Sequence, residues 1–287
     1  EPSMRWTPKG RSANVEDRRG TGGGRLALGG RGLGLGGILV LLLLSLVFRQ
    51  DFLGLLSGGG VGAGAADAAA PVTDAAEEPL VQFVSFVLDD AQGTWTQLLA
   101  TSGVPYRDAK LVLYRDAIQS ACGFAQSATG PFYCPGDEKV YIDLGFYQEL
   151  RDQFGAPGDF AQAYVLAHEI GHHVQRLLGT EARVRREQRS RPDLENPLSV
   201  RLELQADCYA GIWAHATEQR GVLESGDVDE GLQAAASVGD DRLQRMGGGV
   251  VNPDAFTHGS SAQRVAWFRA GLATGRIADC DTVSHDR

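Results

Sequence analysis

Residues 159–179 read DFAQAYVLAHEIGHHVQRLLG, and the rest of the chain takes its meaning from them. Pro157 and Gly158 precede the run. Asp159 is a residue type that caps helix N-termini, and Gly179 stands where a left-handed residue would end the helix. A helix is therefore predicted over the whole stretch. Residues four apart on a helix lie one turn above each other on the same face. His168 and His172 thus present two imidazoles to one point. Glu169 stands about 100° round the helix from His168, where its carboxylate reaches a water held at that point but not the point itself.

Two imidazoles at this spacing suit a divalent cation, and zinc is the expected ion, because it takes nitrogen and oxygen donors and activates water toward a carbonyl. A third ligand is needed. A second imidazole pair member of the metzincin kind would require glycine and histidine where Gln175 and Leu178 stand, so that class is excluded. The run VRLELQADCYAGIWAHATEQRG (200–221) supplies an alternative. Glu203 and Asp207 lie one turn apart within residues too apolar to leave a bare carboxylate comfortable without a cation. Glu203 is the expected third zinc ligand. Asp207 is expected to hold the far ring nitrogen of a zinc histidine. An acidic pair on a solvated helix face is the ordinary alternative.

Elsewhere the chain is unevenly charged. Its net charge is −9, which argues against a nucleic-acid partner. Yet residues 1–31 carry seven basic side chains against three acidic ones. The segment that follows, GLGLGGILVLLLLSLVF (32–48), contains no charge, and its length is at the short end for a membrane span. The pattern predicts a disordered cytoplasmic segment over 1–31, a transmembrane anchor over 32–56, a flexible linker over 57–79, and a folded domain over 80–287 outside the membrane. A cleaved signal peptide is the competing account of the apolar run. Four cysteines in an exported domain favour disulfides, Cys122 with Cys134 and Cys208 with Cys280, over buried thiols.

Within 80–287 the expected elements are mainly helical. Val84, Val87, Leu88, Trp95, Leu98 and Leu99 have helical spacing, and helices are also expected at 228–238 and 260–271. KLVLY (110–114) and KVYIDL (139–144) read as short strands. The Arg-rich stretch 182–192 reads as a solvated connection. His173, His215 and His285 are assigned no chemical role, with His173 expected at the surface or beside the ligands. Asp227, Asp229, Asp240 and Asp241 lack calcium-loop spacing and read as helix caps. The predicted fold is α+β, mainly helical with a small sheet.

HEIGH (168–172) followed by ELQAD (203–207) resembles the gluzincin pattern of His-Glu-x-x-His with Glu-x-x-Ala-Asp. More closely, the chain resembles the bacterial putative neutral zinc metallopeptidases, which are anchored by one N-terminal helix. The matching stretches are RSANVEDRRG (11–20), GPFYCPGDEKVYID (130–143), GDFAQAYVLAHEIGHHVQ (158–175), RLELQADCYAGIWAH (201–215), GDDRLQ (239–244) and FTHGSSAQRVAWF (256–268). The resemblance implies a zincin-like domain, zinc on His168, His172 and Glu203, and Glu169 as general base in peptide hydrolysis. Related gluzincins carry a late histidine and arginine near the substrate carbonyl, which points to His258 as an oxyanion partner and to Arg264 in support. A helix-start histidine without a role is the alternative for His258. The strand Val140–Asp143 is a candidate edge along which a peptide substrate lies, or else an ordinary core strand. The competing function is a cell-envelope interaction module that keeps zinc only for structure. Oligomeric state is not legible in the sequence.

Overall fold

The computed structural model describes residues 4–21, 75–127, 130–248 and 250–283. Six short strands come from the first half: β1 (Val15–Asp17), β2 (Lys110–Tyr114), β3 (Ala117–Ser120), β4 (Gly123–Gln126), β5 (Phe132–Cys134) and β6 (Lys139–Asp143). The helices are α1 (Glu78–Thr101), α2 (Gly145–Asp152), α3 (Asp159–Leu178), α4 (Thr180–Ser190), α5 (Glu195–Gln219), α6 (Asp227–Ser237), α7 (Asp240–Met246) and α8 (Ser261–Thr274). The described chain is mainly helical with a small sheet, as expected.

One sheet has the order β1-β2-β6-β5, parallel across the first three strands and antiparallel between β6 and β5. The alternation of β2 and β6 sends Leu111, Leu113, Val140 and Ile142 to the main core. Val112, Tyr114 and Tyr141 pack on the other face with Ile118 of the β3–β4 hairpin. Both hydrogen-bonding edges of β6 are taken, so the proposed substrate-bearing edge at Val140–Asp143 is corrected: β6 is internal and β5 occupies the edge. The Cys122–Cys134 disulfide ties the hairpin to β5, and Cys208–Cys280 ties the C-terminal turn to α5.

Helix α3 ends as predicted at Gly179, which adopts φ 76°. Its start differs. Asp159 does not cap its own helix; Glu230 accepts the Phe160 N–H at 3.2 Å, and Asp159 accepts the Met4 N–H at 3.0 Å. The Arg-rich stretch is helix α4 rather than a loop, because Val184 and Gln188 are buried on one face, Val184 packing against Leu198 and Leu202 of α5. Helices α2 and α7 were not foreseen, being too short for their periodicity to register.

Gly171, inside the HEIGH run, faces α5. A Cβ there would lie 3.0 Å from the Ala206 carbonyl oxygen and 3.1 Å from its Cα. Ala206 sits between Glu203 and Asp207 in sequence, so the missing side chain lets α3 and α5 approach closely beside those two carboxylates.

The single-pass membrane topology is overturned. Among the described residues no helix is long and apolar enough to cross a membrane. Nor do residues 4–21 form a separate disordered tail. Met4 is buried, Trp6 packs on Phe83 and Phe86, and β1 pairs in parallel with β2. Arg19, its side chain 2% exposed, binds Asp17 and Glu77. One crossing between residues 31 and 57 would place β1 and β2 on opposite faces of a bilayer, which two hydrogen-bonded strands cannot occupy. The apolar run, its proposed anchor at 32–56 and most of the proposed linker lie outside the described residues.

Candidate metal centre

Helices α3 and α5 carry the central group. His168, His172 and Glu203 each bring one ligand atom to a common point, all within 4.8 Å of one another. His168 Nε2 is 3.1 Å from one Glu203 oxygen, and His172 Nε2 is 3.5 Å from the other. Donors around a tetrahedral zinc ion lie about 3.3 Å apart for bonds of the usual length. The three groups therefore fit zinc in kind and in spacing.

Their electrostatics also suit a cation. Burial opposes charge on His168, yet Asp207 and Glu203 outweigh it and push its pKa up to about 10. His172 is likewise raised against burial by Glu203. Glu203 is held well below the usual carboxylate range, burial being overcome by the two imidazoles. A positive charge at this point is favoured by its surroundings.

Behind His168 lies a buried polar cluster. Asp207 is fully buried, and His168 Nδ1 lies 2.9 Å from its Oδ1. Arg264 of α8 donates to both Asp207 oxygens, Nε at 2.8 Å and Nη2 at 2.9 Å. The Tyr164 hydroxyl donates to Asp207 as well. Arg264 thus braces Asp207 from behind and also donates to the Val238 carbonyl at 3.2 Å. Tyr164 escaped sequence reading, although its place four residues before His168 puts it on the same helix face. On the second imidazole, His172 Nδ1 lies 3.0 Å from Gln175 Oε1, and the Gln175 amide donates to the Leu202 carbonyl.

A cavity of about 570 Å³ opens over this group. His168, Glu169, His172 and Glu203 line it, with Phe132 and Tyr133 of β5 on one wall and His258 on another. Tyr147 is buried nearby, its pKa raised by burial and by the charge of Glu169. His258 precedes α8, whose start is a capping box between Ser260 and Gln263. Its Nδ1 is 3.1 Å from Asp240 Oδ1, while the other Asp240 oxygen accepts the N–H groups of Thr257, His258 and Gly259. Asp240 is therefore less a cap for its own helix than a clamp on the loop presenting His258. No local pattern announced this, because the contact joins residues eighteen apart in sequence.

The remaining assignments divide. His173, expected at the surface or beside the ligands, is completely buried, with Nδ1 3.0 Å from the Tyr133 hydroxyl and Nε2 2.6 Å from the Arg107 carbonyl. It pins α3 to β5. His215 is packed, its Nδ1 2.7 Å from the Leu272 carbonyl; His285 lies outside the described residues. Asp241 accepts the Ser261 N–H and Asp227 the Glu224 N–H. Asp159, Asp227 and Glu230 form a second group of metal-capable carboxylates at the start of α3 and α6, where they accept the backbone N–H groups of Met4, Phe160 and Glu224.

A family model described as "Putative neutral zinc metallopeptidase" matches residues 4–283. The uncharacterized protein YpfJ of Escherichia coli is 46% identical over 286 residues, covering 97% of this chain and 98% of its own. The uncharacterized proteins Mb2605 of Mycobacterium bovis and Rv2575 of Mycobacterium tuberculosis are each 42% identical over 207 residues, covering 68% of either chain. No solved structure matches the chain. With a match that takes in β1, the His168–Glu203 centre and the His258 loop alike, the chain belongs to the putative neutral zinc metallopeptidase family.

Proposed function

We propose that this protein is a gluzincin-type peptidase with a zincin-like domain, holding zinc on His168, His172 and Glu203 and cleaving peptide bonds. The observation that carries the proposal is the convergence of two imidazoles from α3 and one carboxylate from α5 at the floor of an open cavity. Among the described residues no fourth histidine, cysteine or acid joins that group, which favours a catalytic site over a structural one with four protein ligands. Zinc, when bound, supplies the Lewis acidity that polarises a carbonyl and makes water nucleophilic near neutral pH.

The chain's own groups carry the remaining work. Glu169 takes the proton from the attacking water and delivers it to the departing amine. Asp207 fixes the His168 tautomer, with its proton on Nδ1 and its lone pair on Nε2 facing the ion site. His258, its Nδ1 proton committed to Asp240, donates from Nε2 to the oxygen that gains charge as the carbonyl becomes tetrahedral. Strand β5, an edge strand of the sheet among the described residues, offers a place for an extended peptide, since Phe132 and Tyr133 line the same cavity.

Comparison of wild type with Glu169→Gln tests this. Both are expected to bind one zinc, while only wild type digests casein or a peptide library, with a rate difference of about 10²–10⁴. Zinc bound by both and no cleavage by either would sink it.

A further inference from the structure

We propose that the end of the cleft beside Val165 is a subsite for a lysine or arginine side chain of the substrate, with Glu149 reading its charge. The subsite presupposes the peptidase chemistry proposed above. The cavity follows α3 from Val165 through the ion site to Gln175, a rise of about 15 Å for ten helical residues, room for about four residues of extended chain. Its two ends differ in kind.

At the Gln175 end the charges are paired with one another, although the buried Glu181 Oε2 accepts no hydrogen bond. Gln175 binds His172 and the Leu202 carbonyl, and Glu181 lies 3.7 Å from both Arg176 and Arg185. Phe146, Phe154 and Leu243 line the cavity as well, the two rings 6.4 Å apart; the Phe154 N–H donates to the Glu149 carbonyl and the Phe154 carbonyl accepts from Arg242, so these groups gather at the segment leading into α3, on the Val165 side. One carboxylate shares this apolar end. Glu149 follows Phe146 by three residues on α2, lines the same cavity and is half-buried. Among the described residues its carboxylate has no hydrogen-bond or ion-pair partner. The nearby cations are committed elsewhere: Arg151 pairs with Asp152, and Arg242 donates to the Phe154 carbonyl.

An apolar substrate side chain seated here would strip water from the Glu149 carboxylate without replacing its hydrogen bonds. An acidic one would be repelled. A basic side chain meets both demands, its methylene stem lying on the aromatic wall and its head reaching the carboxylate. The net charge of −9 adds a field that draws cationic peptides.

The test is a positional library of fluorogenic peptides cleaved by the zinc-loaded full chain, with each position varied among Lys, Arg, Leu and Glu. At one position Lys and Arg are expected to exceed Leu in kcat/KM, with Glu lowest. In Glu149→Gln the Lys-to-Leu ratio at that position falls about tenfold, and Glu149→Lys inverts the order in favour of Glu. A ratio unchanged in both variants overturns the subsite. Should wild type cleave nothing, the chemistry of the previous subsection fails, and binding still decides this one. Labelled Lys and Leu peptides are titrated into Glu169→Gln and into the double variant Glu149→Gln with Glu169→Gln. A Lys preference lost in the double variant supports the subsite, and equal binding of both peptides to Glu169→Gln overturns it.

Discussion

His168 Nδ1 lies 2.9 Å from Asp207 Oδ1, and both groups are buried. Arg264 and Tyr164 occupy the remaining sides of the same carboxylate, so its charge is shared among three donors. The pKa of Asp207 is lowered, burial being overcome by Arg264 and His168. An ionised Asp207 can only accept, which assigns the Nδ1 proton to His168.

Asp207→Asn keeps the shape of this contact and loses its charge. Zinc affinity is expected to fall by about 10–100-fold, measured by competition with a chelator. Asp207→Ala has a second effect, because Arg264 is left buried without its counter-charge. A stability loss of about 3–5 kcal/mol is expected, read from denaturant unfolding. Unchanged zinc affinity in Asp207→Asn would show that His168 is oriented by other means.

The His258–Asp240 pair sets a pH dependence with a definite sign. The hydrogen bond that His258 donates to Asp240 raises the His258 pKa, and burial works against it. With Nδ1 held by Asp240, Nε2 carries a proton only in the imidazolium form. The proposed donation to the oxyanion is therefore present below the raised pKa and lost as pH climbs through it. The alkaline limb of kcat should lie above the ordinary histidine value of about 6.5. Asp240→Asn moves that limb to lower pH, and His258→Ala abolishes it while lowering kcat by about 10²–10³. An alkaline limb identical in all three proteins would remove His258 from the chemistry.

Gly171 controls how closely α3 and α5 approach. Gly171→Val places atoms where the Ala206 backbone now lies 3.0 Å from the Cβ position. The strain is expected to cost about 1–3 kcal/mol of stability and to weaken zinc binding together with it, since Glu203 and Asp207 flank Ala206. Calorimetric unfolding with and without zinc separates the two effects. A destabilised variant that binds zinc with wild-type affinity would show that the contact only packs the core.

Arg19 anchors the N-terminal strand to the start of α1. Its guanidinium is buried against Asp17 and Glu77, whose side chains are 19% and 23% exposed. Arg19→Met should cost about 2–4 kcal/mol, short of a wholly buried pair because the carboxylates retain some water. The hydrogen bond from Arg19 lowers the Asp17 pKa more than burial raises it. That contribution is present above the unfolded carboxylate pKa of about 3.9 and is lost as pH falls through the lower folded value. The stability difference between Arg19→Met and wild type should therefore shrink in acid. Equal stability at neutral pH would mean that β1 is held by its backbone bonds alone.

The amino-acid sequence by itself determined whatever depends on neighbours within a few turns. Helical spacing placed His168, Glu169 and His172 on adjoining positions of one helix and Glu203 and Asp207 on one face of another. The apolar periodicity of residues 84–99 likewise yielded α1, and the alternation in residues 139–144 yielded β6. The N-terminal segment misled for the same reason: its charge and the apolar run after it are local features, whereas its pairing with Leu111–Leu113 is not. Only the tertiary structure decided which long-range partners meet: β5 rather than β6 at the sheet edge, Arg264 behind Asp207, Asp240 holding His258, and His173 buried against Tyr133. Local pattern fixes which face a side chain occupies, but the element that face meets depends on how all the helices and strands pack to bury their apolar surface together, and that is a property of the whole chain.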